Sequence, residues 1–194
     1  MSADDAEAEL RRFVGDPDGE QEARHLKMRV GQLERHWERN CLAVGLSQGF
    51  IEPLEATALL LVQVTIELFI NALEEAEFAA THRDAFNRKI DARFERVRDY
   101  IVAHYIMNTR EDTEYWAANR ANTHLSDTLK AIIDLWKGGK ILSQEFEARQ
   151  IETSYTASSW SCLFAGYGFY PPLRGTPIAE QARQKLDVAA TLGP

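Results

Sequence analysis

The chain has 194 residues, 45% of them hydrophobic and 27% charged, which is enough for one globular unit with a real core and argues against disorder. The formal charge of -8, from 30 acids against 22 bases, argues against a nucleic-acid partner, since phosphate binding needs a concentrated basic surface. The longest nearly unbroken apolar run, Ala56 to Val62 with Thr57 inside it, falls far short of the roughly 20 residues a membrane helix needs, so no membrane partner is expected.

Met1 to Glu22 reads as a short helix carrying Leu10, Phe13 and Val14, stopped by the turn signal Gly15-Asp16-Pro17-Asp18-Gly19. Leu26, Met28 and Val30 alternate with His25, Lys27 and Arg29, the pattern of a half-buried strand ending at Gly31. The run Asn40 to Val44 reads as a second strand, able to pair with the first. Two strands make a poor sheet by themselves, and nothing later in the chain offers partners.

The stretch Asn40 to Thr57 combines apolar residues with Gly45, Gly49, Pro53, Glu52 and Glu55. The glycines mark a turn or a close backbone approach. Pro53 suits the first turn of a helix and the two acids suit its positive end. From Ala56 to Ile70 nearly every residue is apolar, so the helix is expected to be buried on most sides. Spacing leaves two readings of Glu55 open: a capping acid that satisfies its own first-turn amides, or a catalytic carboxylate beside an anion site formed by those amides.

Phe86, Ile90, Phe94, Val97, Ile101 and Tyr105 step by four, four, three, four and four, laying one apolar stripe on a helix from Thr81 or Asp84 to about Asn108. Arg88, Asp91, Arg93, Glu95, Arg96 and Arg98 form its solvated face. His104 lies beside the stripe and reads as a hydrogen-bonded, half-buried histidine. No second metal-type residue stands at helical spacing from it, and no metal is expected.

Thr113 or Asp112 caps a short helix holding Tyr115 and Trp116 as loop anchors. Ser126 caps another, with Leu129, Ile132, Ile133 and Trp136 inward and Gly138-Gly139 at its end. Ser143 to Thr156 reads as a loop or short helix anchored by Phe146, Ile151 and Tyr155. Ser158 to Ala165 is a compact apolar turn or helix stopped by Gly166-Tyr167-Gly168. Pro177 to Leu192 has the spacing of an amphipathic helix. Cys41 and Cys162 lie in apolar runs, and without a signal sequence the expected state is reduced, buried and cytoplasmic.

Three blocks carry a family resemblance: Asn-Cys-x-Ala-x-Gly-Leu-x-x-Gly-Phe-x-Glu-Pro-Leu-Glu-x-Thr at 40–57, His104-Tyr105 followed by Arg-x-Asp-Thr-x-Tyr-Trp at 110–116, and Phe-Ala-Gly-x-Gly at 164–168. Together they resemble the flavin-dependent tryptophan halogenases, from about Leu26 to Pro172, and correspond to the C-terminal portion of that family. The resemblance implies a mainly α fold, the helical C-terminal portion of a flavin-monooxygenase-like α/β halogenase, with one or two short strands near the N-terminus. Residues 1–194 would then be a single incomplete domain with a strand-turn-helix core at 40–71. The family's Gly-x-Gly-x-x-Gly phosphate loop, Trp-x-Trp-x-Ile-Pro segment and essential lysine have no match here, so Met1 reads as an internal start, a split gene or a truncated frame.

The chemistry so implied is chlorination or bromination of an electron-rich aromatic, an indole or a phenol, by hypohalous acid made from halide, oxygen and reduced FAD. Glu55 matches the catalytic glutamate, the amides of Thr57 and Ala58 match the halide site, and Ala56 stands beside the flavin where many members have serine. Gln150 and Tyr155 occupy the region that holds the substrate. Flavin is not expected to bind this chain alone. The implied partners are the aromatic substrate, a flavin reductase that supplies FADH2, and a separately encoded N-terminal half. The alternative is a non-enzymatic helical module that binds a protein partner.

Overall fold

A computed structural model describes residues 2–16, 18–19, 21–52, 54–75 and 80–171, so Pro53 and the helix expected over Pro177 to Leu192 lie outside it. Among the described residues there are seven α-helices and four two-residue strands. The mainly α expectation holds.

The chain is built on α3 (Arg83–Ile106). Its stripe residues Phe86, Ile90, Phe94, Val97 and Ile101 are buried and Tyr105 is half-buried, as the spacing predicts. Each buried side chain of that size contributes roughly 1.5–3 kcal/mol. The first part of α3 packs with Trp37 and Leu61 in one apolar cluster. Its end, through Tyr100 and Ala103, joins a second cluster with α5 (Asp127–Lys137), α6 (Leu142–Ala148) and α7 (Ala157–Gly166). Tyr155 packs against both clusters and so lies at their seam.

Helix α1 (Ala3–Val14) forms where composition places it, with Ser2 and Asp5 in a capping box and Gly15 left-handed at its end. Ser126 caps α5 by accepting from the Leu129 amide at 2.9 Å. Helix α4 (Glu114–Arg120) is held by Trp116, which stacks on Tyr105 with ring centroids 5.6 Å apart.

The strands differ from the sequence expectation. No strand covers Leu26, Met28 or Val30, all of which are exposed. The ladders are β1 (Gly31–Gln32) with β4 (Gly49–Phe50), and β2 (Trp37–Glu38) with β3 (Cys41–Leu42), both antiparallel. The two expected strands therefore do not pair with each other, because the turn at Arg39 and Asn40 folds the second back on its own neighbour. A Cβ on Gly49 would stand 2.6 Å from the Gly31 carbonyl oxygen, which is why the first ladder needs glycine there. Asn87 ties the hairpin to α3: its Oδ1 accepts from the amides of His36 and Trp37, both at 2.8 Å, and its Nδ2 donates to the Trp37 carbonyl at 3.0 Å.

Helix α2 (Thr57–Glu75) corrects three further expectations. It begins at Thr57, after a 3-10 turn at Leu54–Ala56, so Glu52 and Glu55 precede it and do not sit in its first turn. Only Thr57, Leu61 and Thr65 are buried along it, while Leu59 is 74% exposed and Leu60, Ile66 and Ile70 face outward as well. With its preceding turn it runs for 22 residues, Leu54–Glu75, and by length and composition could cross a membrane, which the short apolar run did not foretell. Its buried contacts are those of a globular helix, since Thr65 accepts a hydrogen bond from Gln48 Nε2 at 2.8 Å while donating to the Leu61 carbonyl. Cys41 and Cys162 are free thiols, but both are exposed, because each apolar run presents its cysteine on the outer side of a short element.

Candidate active site

The site forms where the start of α2 meets the end of α3. Glu55 and Ala56 both have left-handed backbones, with φ of 56° and 54°. Neither residue is glycine, and each such conformation costs on the order of 1–3 kcal/mol. The consequence is directional. The carboxylate of Glu55 stands 3.8 Å from Nε2 of His104 on α3. Thr57 fastens the turn from the other side: its hydroxyl donates to the Leu54 carbonyl at 2.7 Å, and with its single proton so used it accepts from the Tyr155 hydroxyl, also at 2.7 Å.

A cavity of about 610 Å³ opens beside this pair. Glu55, Tyr100, His104 and Tyr167 form one part of its wall, and Ser158, Ser159, Cys162, Leu163 and Gly166 of α7 form the other. No lysine or arginine is among these residues. A second, apolar hollow of about 230 Å³ touches the same helix start, lined by Gly45, Phe50, Ile51, Ala58, Leu59 and Val62 among others. The turn that carries Glu55 therefore borders the first hollow, and the first turn of α2, through Ala58 and Leu59, borders the second. Thr57 and Ala58 are the helix's first two residues, whose amides no carbonyl of the same α-helix can accept.

Burial governs the titration of the walls. It lowers the pKa of His104 below the ordinary imidazole range, against the opposing charges of Glu55 and Glu52. The ring is therefore neutral at pH 7. Burial, followed by the Glu55 charge, pushes the Tyr100 hydroxyl up to about 12, and burial also raises Tyr155. The Tyr105 hydroxyl donates to the Glu52 carboxylate and is raised as well, first by burial.

Of the residues singled out in the sequence, the structure brings Glu55, Ala56, Thr57, Ala58 and Tyr155 together. Tyr155 sits behind the cavity wall, its ring stacked on Tyr100 with centroids 3.7 Å apart. Gln150 is elsewhere, on the wall of another cavity with Asp99, Arg96 and Glu152. His104, set aside in the sequence as a half-buried histidine, faces the cavity, and Tyr100 lies one helical turn before it. That i, i+4 pair on one face of α3 was the available signal. Ser158, Ser159 and Tyr167 left none, since their meeting with Glu55 depends on how α7 folds back.

This geometry matches known proteins over almost the whole chain. Residues 1–184 fit the family model described as tryptophan halogenase. The chain belongs to the tryptophan halogenase family. Among the relatives of this chain, tryptophan 6-halogenase ThaL of Streptomyces albogriseolus is 33% identical over 166 residues, covering 80% of the chain and 31% of the relative. Tryptophan 7-halogenase KtzQ of Kutzneria sp. (strain 744) is 30% identical, covering 97% and 37%. The structure of BrvH, a flavin-dependent halogenase from Brevundimonas sp. BAL3, superposes with a TM-score of 0.79 at 32% identity, covering 99% of the chain and 39% of BrvH. The chain thus spans between 31% and 39% of the length of these relatives.

Proposed function

We propose that this chain carries the halogenating carboxylate of a flavin-dependent halogenase that chlorinates or brominates an electron-rich aromatic. The observation that supports it is Glu55: in a chain of this family, a strained turn directs its carboxylate to the cavity and not along its own helix. Bound reduced FAD, with oxygen and halide, supplies the hypohalous acid. The chain's own residues do the rest. The amides of Thr57 and Ala58 hold the halide at the helix start. Glu55 orients the hypohalous acid and takes the proton released from the ring.

The apolar hollow beside Ala58 fits one face of a flat ring system, and Ala56, two residues before it, is exposed. The 194 residues contain no glycine loop for a pyrophosphate, so we assign phosphate binding and the lysine to a flavin-binding portion outside these residues. Without that portion the chain is inactive, and a flavin reductase feeds the completed enzyme. The two free thiols favour a cytoplasmic setting. A cavity without lysine or arginine and with a neutral His104 suits an uncharged indole or phenol better than the carboxylate of a free amino acid.

The test is Glu55→Gln in the chain complemented with the flavin-binding portion of BrvH. Halogenated product per flavin oxidised should fall about 10²-fold or more while flavin oxidation and melting temperature hold. A merely capping Glu55 gives the opposite result, a normal yield with a stability loss of about 1 kcal/mol. A second reading, a non-enzymatic module that binds a protein partner, draws on the outward Leu59, Leu60, Ile66 and Ile70. Product that depends on Glu55 in the complemented enzyme excludes it.

A further inference from the structure

One polar atom at this site lacks a partner. His104 Nε2 is covered and makes no hydrogen bond among the described residues. Leaving a buried nitrogen unpaired costs about 1–3 kcal/mol. The groups around the ring are otherwise engaged. Glu52 accepts from Tyr105, and Tyr100 donates to the Ser159 carbonyl at 3.2 Å. The Tyr167 hydroxyl lies 3.3 Å from the other ring nitrogen, Nδ1. Cys162 shares the cavity, but a thiol is a weak acceptor. The acceptor that approaches Nε2 is the Glu55 carboxylate, 3.8 Å away and half-exposed, so that its outer bonds are free to turn.

We propose that His104 is the positioning residue for Glu55: Tyr167 donates to Nδ1, which leaves the proton on Nε2, and Nε2 donates a hydrogen bond to the carboxylate as Glu55 turns inward. The gap to close is about 1 Å, given the roughly 2.8 Å of a charge-assisted bond. The two devices are complementary. The left-handed backbone fixes where the Glu55 side chain starts, and His104 fixes where its carboxylate ends. This rests on the reading of Glu55 as the halogenating carboxylate.

Two measurements test it. In the full chain labelled with 15N at histidine, the His104 ring is assigned among the 5 histidines by its loss in His104→Gln. The expected result is the Nε2–H tautomer and a titration midpoint about one unit lower in Glu55→Gln, because the lost anion no longer favours the imidazolium. An Nδ1–H ring, or a midpoint that does not move, overturns the proposal. In the enzyme complemented as above, His104→Leu should lower product per flavin oxidised by about 10- to 100-fold, the scale of a misplaced reacting group. His104→Gln keeps an N–H donor on the same side and should restore most of the yield. Full yield from His104→Leu, with Glu55→Gln inactive, removes the positioning role and leaves the halogenase reading standing. Full yield from Glu55→Gln removes that reading, and the positioning role with it.

Discussion

Helices α2 and α3 cross in the same chain and invert the usual relation between composition and burial. Apolar over most of its length, α2 buries only Thr57, Leu61 and Thr65, two of them threonines. Charged at almost every second position, α3 buries Phe86, Ile90, Phe94, Val97, Ile101 and more. The difference lies in what each helix has to pack against. The stripe of α3 is matched to two apolar clusters contributed by this chain, whereas α2 has more apolar surface than these residues cover. Hydrophobicity records burial in the assembly a sequence was shaped for, and spacing records which face is used.

The sharpest way to break that comparison is a truncation on each helix. Phe94→Ala should cost the chain about 3–5 kcal/mol in urea or thermal unfolding. Leu59→Ala, on the outer face of α2, should stay within about 0.5 kcal/mol. Similar costs at the two positions would mean that the outer face of α2 is buried in solution. The next largest effect belongs to a buried polar bond between α2 and the loop before it: Thr65→Val leaves the Gln48 amide unpaired and should cost about 1–3 kcal/mol.

A smaller effect depends on pH. His36 is buried, stacks on Phe94 with centroids 5.4 Å apart and bonds Asp91 of α3 at 3.1 Å. Burial outweighs Asp91 and lowers its pKa below the ordinary 6.5. The unfolded chain then binds the proton more readily than the folded one. The stability from a neutral His36 is therefore full above about pH 6.5 and is lost as pH falls through its depressed folded value. His104 acts in the same direction. Melting temperature should fall on acidification from pH 7.5, and less steeply in His36→Gln; a flat profile in the wild type would contradict the assignment. The smallest effect on stability, within about 0.5 kcal/mol, is expected from Leu59→Lys with Leu60→Lys. It should nonetheless reduce self-association in light scattering, since the outer face of α2 and the open strand edges are the sticky surfaces of the chain.

The contrast also explains what the sequence could reveal. The α3 stripe, the Ser126 cap and the Trp116 anchor were legible because each is a local pattern with a local cause. Glu55 was legible as one of two alternatives, since neither spacing nor composition encodes that two consecutive non-glycine residues turn left-handed. The strand expected at Leu26 to Val30 failed because alternation shows which residues want cover and not whether a neighbouring strand supplies it. The cavity wall from α7 was out of reach for a similar reason: it depends on α7 packing against α3 across the long separation between Tyr100 and Ser159. Cys41 and Cys162 show the same limit in miniature, as their apolar neighbours point inward and their own side chains do not.

The left-handed pair at Glu55 and Ala56 bears on how such a chain can be improved. Glycine accepts a φ of 54° without the steric conflict that alanine suffers, so Ala56→Gly should raise stability, and a selection that rewards only robust folding would reach it early. The same substitution widens the range of backbone angles beside Glu55. A variant library ranked by heat resistance and one ranked by halogenated product are expected to disagree at this turn, so the two screens should be run in parallel, not in series.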